Sequence, residues 1–328
     1  MTVSYEAVSV KRLKAHSLSL IAYRLSFEFR SFGNDETKSM TTDIRDKPTL
    51  SHDDIAGLNF IKYPSRYFFR NHFREGLRSR LIQVLKLSDI AIETSGILQK
   101  GVYIFPIAQP VAMLRIFKNK FSSLRDIRKE IDNYKILQQQ LSESHYAVSS
   151  EFVVDYTQGR HKSILLCGLQ EYVQGEPIDP WHANPLLKIE DIVKGSPAGT
   201  LKTALENLAS FVNSTKDVIM NTGAIPDLAG VGNLIMTPLG MVKLVDINNI
   251  SKLPMDHHIP VDDKGYPVSD KSVQALFQIE TRILGRLKGT TNTLYRFFLD
   301  PQRMKEVREL ETSFHRITAH SGNYPSVK

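Results

Sequence analysis

The pattern of apolar residues changes near Gly175, and this change limits the fold class. Upstream of it, three short β-rich runs, one long helical pattern and two further strands follow one another; they cover residues 89–95, 101–105, 111–117, 124–141, 151–156 and 163–173. Downstream of it, apolar residues recur at helical spacing over residues 201–219 and 273–287. This order predicts an α+β protein, in which a small β-rich lobe of residues 89–173 precedes a mostly helical lobe of residues 174–328.

The first 88 residues are predicted to form a separate N-terminal extension. Apolar side chains occupy every second position from Ile21 to Phe29, which predicts a strand. Apolar residues then recur every fourth position over Ser65–Leu87, which predicts an amphipathic helix. Four arginines run beside this stripe at the same spacing, namely Arg66, Arg70, Arg74 and Arg78. They could contact a polyanion, and a solvated helix face is the alternative.

Composition narrows the class of protein. The chain has a single cysteine, Cys167, which excludes an internal disulfide and a multi-cysteine zinc site. It has no run of 18 apolar residues and no apolar signal-peptide core, so a cytoplasmic protein without a membrane contact is expected. The net charge of +7 is compatible with phosphate-rich ligands, nucleic acid or acidic surfaces as partners.

The segment Pro226–Asn249 carries the most chemical information. A hairpin is predicted from Asn233 to Ile247, turned at Pro238-Leu239-Gly240, so that Asn233 at its entry and Asp246 at its exit converge. An amide oxygen beside a carboxylate suits Mg²⁺, which takes water and substrate phosphates as further ligands. Asp227, in the preceding loop, could accept a hydroxyl proton. The alternative is a polar loop in which Asp and Asn act as turn formers.

The order of these pieces resembles the protein-kinase-like fold, including its small-molecule phosphotransferase branch. The resemblance implies a two-lobed fold, with Mg²⁺ and ATP bound between the lobes. By motif, Asp227 matches the catalytic-loop Asp and Asn233 the metal-binding Asn of that loop. Asp246 matches the metal-binding Asp of the DFG motif.

Two further segments extend the resemblance. LQEYVQGEPI, residues 169–178, resembles the hinge between the lobes, where the backbone of Gln170, Glu171, Tyr172 and Val173 would hydrogen-bond an adenine. SDKSVQAL, residues 269–276, resembles the start of the helix that anchors the catalytic loop, with Asp270 as its buried Asp.

The upper-lobe residues are matched by alignment of the apolar pattern. VAMLRIF, residues 111–117, resembles the third strand of the family and places Arg115 where the family has a phosphate-pairing Lys; Lys118 is the alternative. Glu130 matches the helix Glu that pairs with this cation, and a solvated Glu is the alternative. Gly96 and Gly101 could cap phosphates between two strands. The alternative is that they are ordinary hairpin glycines, and the GxGxxG pattern is absent.

Several positions depart from the family pattern. Ile225-Pro226 replaces the usual His-Arg, the step from Asp227 to Asn233 is one residue longer than in protein kinases, and Asn248 replaces the DFG glycine. Only residues 247–268 separate Asp246 from Ser269, and no APE motif occurs, which leaves little chain for a protein-substrate platform.

Three functions are compatible with these sequence features. The first is an ATP-dependent phosphotransferase acting on an unknown hydroxyl acceptor, a small molecule or a protein, with nucleotidyl transfer as a variant. The second is a pseudokinase that serves as a nucleotide-binding or protein-interaction module. The third is a basic nucleic-acid-binding factor, although zinc-finger and RNP signatures are absent.

Overall fold

A computed structural model describes residues 43–73, 78–158, 161–254, 256–262, 264–286 and 293–320. The predicted strand over Ile21–Phe29 lies outside these residues. The described residues divide into two compact units. The first holds those up to Lys120 together with Ser150–Glu171, and the second holds Phe121–Ser149 and those from Tyr172 onwards. The secondary structure is α+β, as the sequence predicts.

The first unit is built on a five-stranded antiparallel sheet. In chain order its elements are α1 (His52–Ala56), a 3₁₀ turn (Pro64–Arg66), β1 (Tyr67–Asn71), β2 (Ser79–Lys86), α2 (Leu87–Ser95), β3 (Ile97–Gln99), β4 (Val102–Ile104), β5 (Ala112–Phe117), β6 (Ser149–Gln158) and β7 (His161–Gln170). The sheet has the order β1-β2-β5-β7-β6, while β3 and β4 form a separate hairpin. Its core consists mainly of β-branched and aromatic residues, which suit a half-buried pleated surface; they include Phe69, Ile82, Val84, Ile116 and Val154.

The predicted helix over Ser65–Leu87 is wrong, because this segment forms β1 and β2, which pair with each other. Side chains of a strand alternate between its two faces, so residues spaced four positions apart also lie on one face of a strand. The second strand buries Ile82 and Val84, two residues apart, and both are β-branched. The segment therefore follows strand period and strand propensity.

The four arginines of the predicted helix consequently do not form one helical ridge. Arg66 ends the 3₁₀ turn, and Arg70 lies on β1, where its guanidinium contacts Glu93 at 2.7 Å. Arg78 immediately precedes β2, and Arg74 lies outside the described residues. A shared polyanion contact through these arginines loses the geometry on which it was based.

The β-rich run predicted over residues 89–95 is also wrong, since α2 covers it. An acidic residue, Asp89, lies in its first turn, and Gly96 ends the helix with φ 73°, a conformation that glycine adopts without strain. The strand β2, placed by the sequence pattern in the N-terminal extension, is paired with β5 in the main sheet. The helix over 124–141 belongs to the second unit.

The second unit is mostly helical. In chain order its elements are α3 (Leu124–Gln140), a 3₁₀ turn (Glu143–His145), β8 (Glu176–Pro177), α4 (Pro185–Ile192), α5 (Thr200–Thr222), β9 (Ala224–Pro226), β10 (Leu234–Met236), β11 (Val242–Leu244), β12 (Ile250–Lys252), α6 (Val268–Gln278), a π-helical turn (Ile279–Ile283), α7 (Thr293–Phe298) and α8 (Pro301–His320). Two small sheets lie among these helices, one of β11-β10-β8 and one of β12-β9.

The long helix α5 forms because its apolar residues recur at helical spacing along one buried stripe. The stripe includes Ala204, Leu208, Phe211, Val212, Val218 and Ile219. The helix ends at Gly223 with φ 69°, which the backbone of a C-cap requires. This helix leads directly into β9, and so into the loop that begins at Asp227.

Membrane insertion of a helix is not supported within the described parts of the chain. None of the helices there is both long and apolar enough to cross a bilayer.

Candidate active site

Asp227 lies at the end of a two-stranded sheet in the second unit. It directly follows β9, which pairs antiparallel with β12 so that Pro226 is opposite Ile250. The backbone N–H of Asp227 donates to the carbonyl of Asn249 at 3.0 Å. The short sheet thus places Asp227 and Asn249 side by side.

The carboxylate of Asp227 is held by three hydrogen-bond donors. Oδ1 accepts from the backbone N–H groups of Ala229 at 2.9 Å and Gly230 at 3.3 Å. Oδ2 accepts from Nδ2 of Asn249 at 2.8 Å. A carboxylate offers about four lone-pair positions, so these contacts leave one position for a further donor.

The pKa of Asp227 is raised to about 6. Burial is the largest cause, because the residue is only 5% exposed. The negative charge of Asp246 raises this pKa further, whereas the hydrogen bonds from Ala229, Asn249 and Gly230 lower it. A carboxylate with a pKa near 6 can both take up and release a proton close to neutral pH.

The loop after Asp227 is anchored by the helix α6. The backbone N–H of Leu228 donates to Oγ of Ser272 at 3.0 Å, and the bond is buried. Because Leu228 directly follows Asp227, this bond fixes the start of the loop to α6.

Asn233 closes this loop. Its Nδ2 donates to the backbone carbonyl of Asp227 at 3.1 Å, which leaves the amide Oδ1 as an acceptor. Its side chain lies against Gly230, where an added Cβ would come within 2.6 Å of Nδ2. A larger residue at position 230 would therefore collide with the amide of Asn233.

The hairpin brings the segment around Asp246 to Asn233. Strands β10 and β11 pair with Leu234 opposite Leu244, and the N–H of Val245 donates to the carbonyl of Asn233 at 2.8 Å. Asp246 follows Val245 and is half-buried. Its negative charge is the second cause, after burial, of the raised pKa of Asp227.

Asn233 and Asp246 together offer a carboxylate and one amide oxygen. This is a weak protein ligand set, of the kind that Mg²⁺ uses when water and substrate phosphates complete its shell. Within the described ranges, no group of three or more His, Cys, Asp or Glu side chains could hold a metal ion by itself. The donor types of these two residues are compatible with Mg²⁺.

Asp270 is fully buried on α6, and its carboxylate faces Arg303 of α8. Arg303 Nε lies 2.6 Å from Oδ1 and Nη2 lies 3.0 Å from Oδ2. Arg303 also donates to the backbone carbonyls of His257 and His258. The contact from α6 to the loop of Asp227 is made by Ser272, two residues beyond Asp270.

Arg115 and Glu130 lie in different units. Arg115 is buried in β5, opposite Leu81 on one neighbouring strand and Gly168 on the other. Its guanidinium is 5.4 Å from the ring centroid of Phe117. Glu130 is half-buried on α3. Their pairing stays a prediction.

The remaining sequence-predicted residues lie at chain connections. Gly96 ends α2, and Gly101 turns the β3–β4 hairpin with φ 82°, so neither lies between two strands of the main sheet. Gln170 is the last residue of β7, and the chain passes from the first unit to the second between Glu171 and Tyr172. An adenine contact of this segment stays a prediction.

Two residues of the site are missing from the sequence-based set, namely Asn249 and Ser272. Asn249 could have been found from residues 224–226 and 250–252, since an antiparallel pairing of these residues places Asn249 beside Asp227. Ser272 has no comparable signal, because its partner Leu228 is 44 positions away.

No protein-family model matches this chain, and the comparison with curated proteins finds no match.

Proposed function

We propose that the protein is an ATP-dependent phosphotransferase whose acceptor-activating group is Asp227. The observation that carries this proposal is the state of Asp227. It is a buried carboxylate with a pKa of about 6, held by three donors beside Asp246 and Asn233. The bonds from Ala229 and Gly230 are those of an Asx turn, and the burial and raised pKa of Asp227 are the features that favour a positioned general base.

In the proposed reaction, ionised Asp227 accepts the proton of an acceptor hydroxyl at its remaining lone-pair position. The hydrogen bonds from Ala229 and Asn249 hold the carboxylate in one orientation, which favours a fixed approach of the hydroxyl. Asn233 and Asp246 would hold Mg²⁺, and the bound ion would neutralise part of the negative charge of the phosphates.

The strand order of the first unit bears on the position of Arg115. Along the chain, the main sheet takes three strands, β1, β2 and β5, and then two more, β6 and β7. The helix α3 lies between these groups in sequence. Arg115 lies on the third strand of the main sheet in chain order, but the two strands that the sequence predicts before it, residues 89–95 and 101–105, correspond to the helix α2 and to part of the separate β3–β4 hairpin.

The proposal is tested by ADP formation from ATP in the presence and absence of Mg²⁺, together with nucleotide binding. Asp246→Ala is expected to weaken Mg²⁺-ATP affinity at least about tenfold, because it removes a charged ligand. Asp217→Ala, an exposed change on α5, serves as the control and should bind as the wild type does. Equal affinity in the two variants would contradict the metal assignment.

Turnover should also depend on pH through Asp227. A base must be ionised, so activity is expected to rise with pH around a midpoint near 6. Asn249→Ala removes one of the hydrogen bonds that lower this pKa, so the midpoint should move to higher pH. A pH–rate profile measures the shift, with the exposed Asn213→Ala as control. An unchanged midpoint would mean that Asp227 is not the titrating base.

The pseudokinase alternative is favoured by two features, the arginine at position 115 in place of a lysine and the step from Asp227 to Asn233, which is one residue longer than in protein kinases. Arginine keeps the charge but differs from lysine in reach and geometry. Nucleotide binding without Mg²⁺-dependent turnover would support it. The nucleic-acid alternative keeps only the net charge of +7 as support, since its arginines do not share a helix.

A further inference from the structure

The hairpin of β3 and β4, together with the residues that directly follow it, carries many exposed apolar side chains. Residues 97–107, here called the apolar hairpin, have the sequence ILQKGVYIFPI. Seven of their side chains are between 38% and 71% exposed, namely Ile97, Leu98, Val102, Tyr103, Ile104, Phe105 and Ile107. Single exposed apolar residues are common on protein surfaces, but a contiguous set of this size marks a contact surface.

Both faces of the apolar hairpin are apolar. Its strands pair with Leu98 opposite Tyr103 and with Ile97 opposite Ile104. Because side chains alternate between the two faces of a strand, the first pair lies on one face and the second pair on the other. Among the described residues, neither β3 nor β4 pairs with a third strand, so their outer edges are open as well.

The base of the apolar hairpin is fixed to the rest of the first unit. Oε2 of Glu93 on α2 accepts from Nη2 of Arg70 on β1 at 2.7 Å and from the backbone N–H of Ala108 at 3.3 Å. The ring of Phe105 lies against Gly96, where an added Cβ would come within 3.0 Å of it. These contacts hold α2, β1 and both ends of the apolar hairpin together.

The tip of the apolar hairpin is equally well defined. Its turn residues, Lys100 and Gly101, have φ 48° and 82°. Positive φ at both central residues is the conformation that matches the twist of a two-residue hairpin. With a fixed base and a tight turn, the exposed side chains are presented in one arrangement, so a partner pays little entropy to order them.

The charge distribution favours a second copy of this chain as the partner. The apolar hairpin contains one charged residue, Lys100, whereas the whole chain has a net charge of +7. Two copies therefore repel each other unless they meet where charge is scarce. In a two-fold contact the same surface is used twice, so a nearly uncharged apolar surface is complementary to itself. A polyanion would gain little attraction here.

The area of the apolar hairpin also agrees with a dimer contact. Large side chains have about 150–250 Å² of surface each, so the exposed fractions above correspond to roughly 700 Å² of apolar surface. Each partner of a stable complex contributes about 800 Å². The apolar hairpin therefore supplies most of the surface that a stable contact needs.

We propose that two copies of this chain associate through their apolar hairpins around a two-fold axis, with β4 of one copy beside β4 of the other. A two-stranded hairpin is only marginally stable by itself in water, and this pairing gives a four-stranded sheet. It also covers an apolar strand edge of the kind that otherwise promotes aggregation. The inference does not depend on the phosphotransferase proposal, because association is measured without turnover.

The first test measures the molar mass of the full chain by light scattering over a range of protein concentrations. The mass of two chains is expected at high concentration, falling to that of one chain on dilution. The mass of one chain at every concentration overturns the inference and leaves residues 1–42 or a different protein as the occupant of this surface. A mass above two chains contradicts a closed two-fold contact.

A charge placed in the contact should separate the copies. Leu98→Lys is expected to raise the dissociation constant of the dimer at least about 100-fold, because the symmetry brings two like charges into an apolar contact. Leu187→Lys on α4 is the matched control, since Leu187 is 56% exposed and Leu98 is 59% exposed. Circular dichroism establishes that both variants fold. Equal dissociation constants in the two variants contradict the assignment.

Cross-linking decides the question if Leu98→Lys does not fold. Cys167 is the only cysteine of the chain and is buried, so Tyr103→Cys supplies one accessible thiol. A short bismaleimide is expected to link two copies of Tyr103→Cys in high yield. Leu239→Cys, at a position that is 65% exposed in the β10–β11 turn, should give only the yield of random collision. Equal yields from the two variants overturn the inference.

Discussion

Asp227→Asn is expected to lower Mg²⁺-dependent turnover by roughly 10²–10⁴, the usual range for the loss of a positioned base. The amide has nearly the same shape as the carboxylate, but it cannot accept a proton from the hydroxyl. Mg²⁺-ATP affinity should hardly change, because Asp227 is not assigned to the metal. The two quantities are measured separately, as steady-state turnover and as equilibrium nucleotide binding.

Asp246→Ala should give the opposite result, because the variant is expected to lose nucleotide affinity before it loses turnover of bound nucleotide. The exposed Asp217→Asn on α5 controls for the loss of a negative charge in this unit. Full turnover in Asp227→Asn would show that another group takes the proton or that proton transfer does not limit the reaction. Equal losses of binding and turnover would place Asp227 in the metal site instead.

The part of the fold that the sequence predicts correctly is the part whose pattern has a single interpretation. The hairpin β10–β11 is one example, because its turn at Gly240 needs φ 78°, a conformation that favours glycine. The long helix α5 is another, because its apolar stripe continues over six turns and ends at Gly223. Such segments need no information from distant residues.

The helix predicted over Ser65–Leu87 is wrong for the opposite reason. Apolar residues four positions apart are compatible with both a helix and a strand, so the local pattern does not decide between them. Pairing decides: β2 lies between β1 and β5, and residue 116 of β5 is 36 positions beyond its partner Arg80. Tertiary contacts of this range override a local helical pattern.

The candidate site shows the same division. Asp227, Asn233 and Asp246 were found from their order around one hairpin, which is local information. Asn249 and Ser272 act on Asp227 and Leu228 through the pairing of β9 with β12 and through α6. Their contribution depends on contacts that sequence spacing does not contain.

Breaking the buried ion pair of Asp270 with Arg303 should cause a large loss of stability. Arg303→Met is expected to reduce the free energy of unfolding by about 3–5 kcal/mol, because it leaves a fully buried carboxylate without its charged partner. It also removes the donors to the carbonyls of His257 and His258. Urea denaturation followed by the fluorescence of Trp181, which lies in this unit, measures the loss.

The pH dependence identifies the cause of that loss. Burial already raises the pKa of Asp270, and Arg303 lowers it, so Arg303→Met should raise this pKa further. A carboxyl group whose pKa is raised on folding favours the folded state below its unfolded pKa and loses that effect as pH rises through the folded value. The loss of unfolding free energy in Arg303→Met should therefore become smaller as the solution is made acidic.

Asp270→Asn combined with Arg303→Met removes the buried charge and should recover part of the stability at neutral pH. If the double variant is less stable than Arg303→Met alone at that pH, the uncompensated charge is not the cause, and the loss comes from the packing of Arg303 against Phe297 and Phe298.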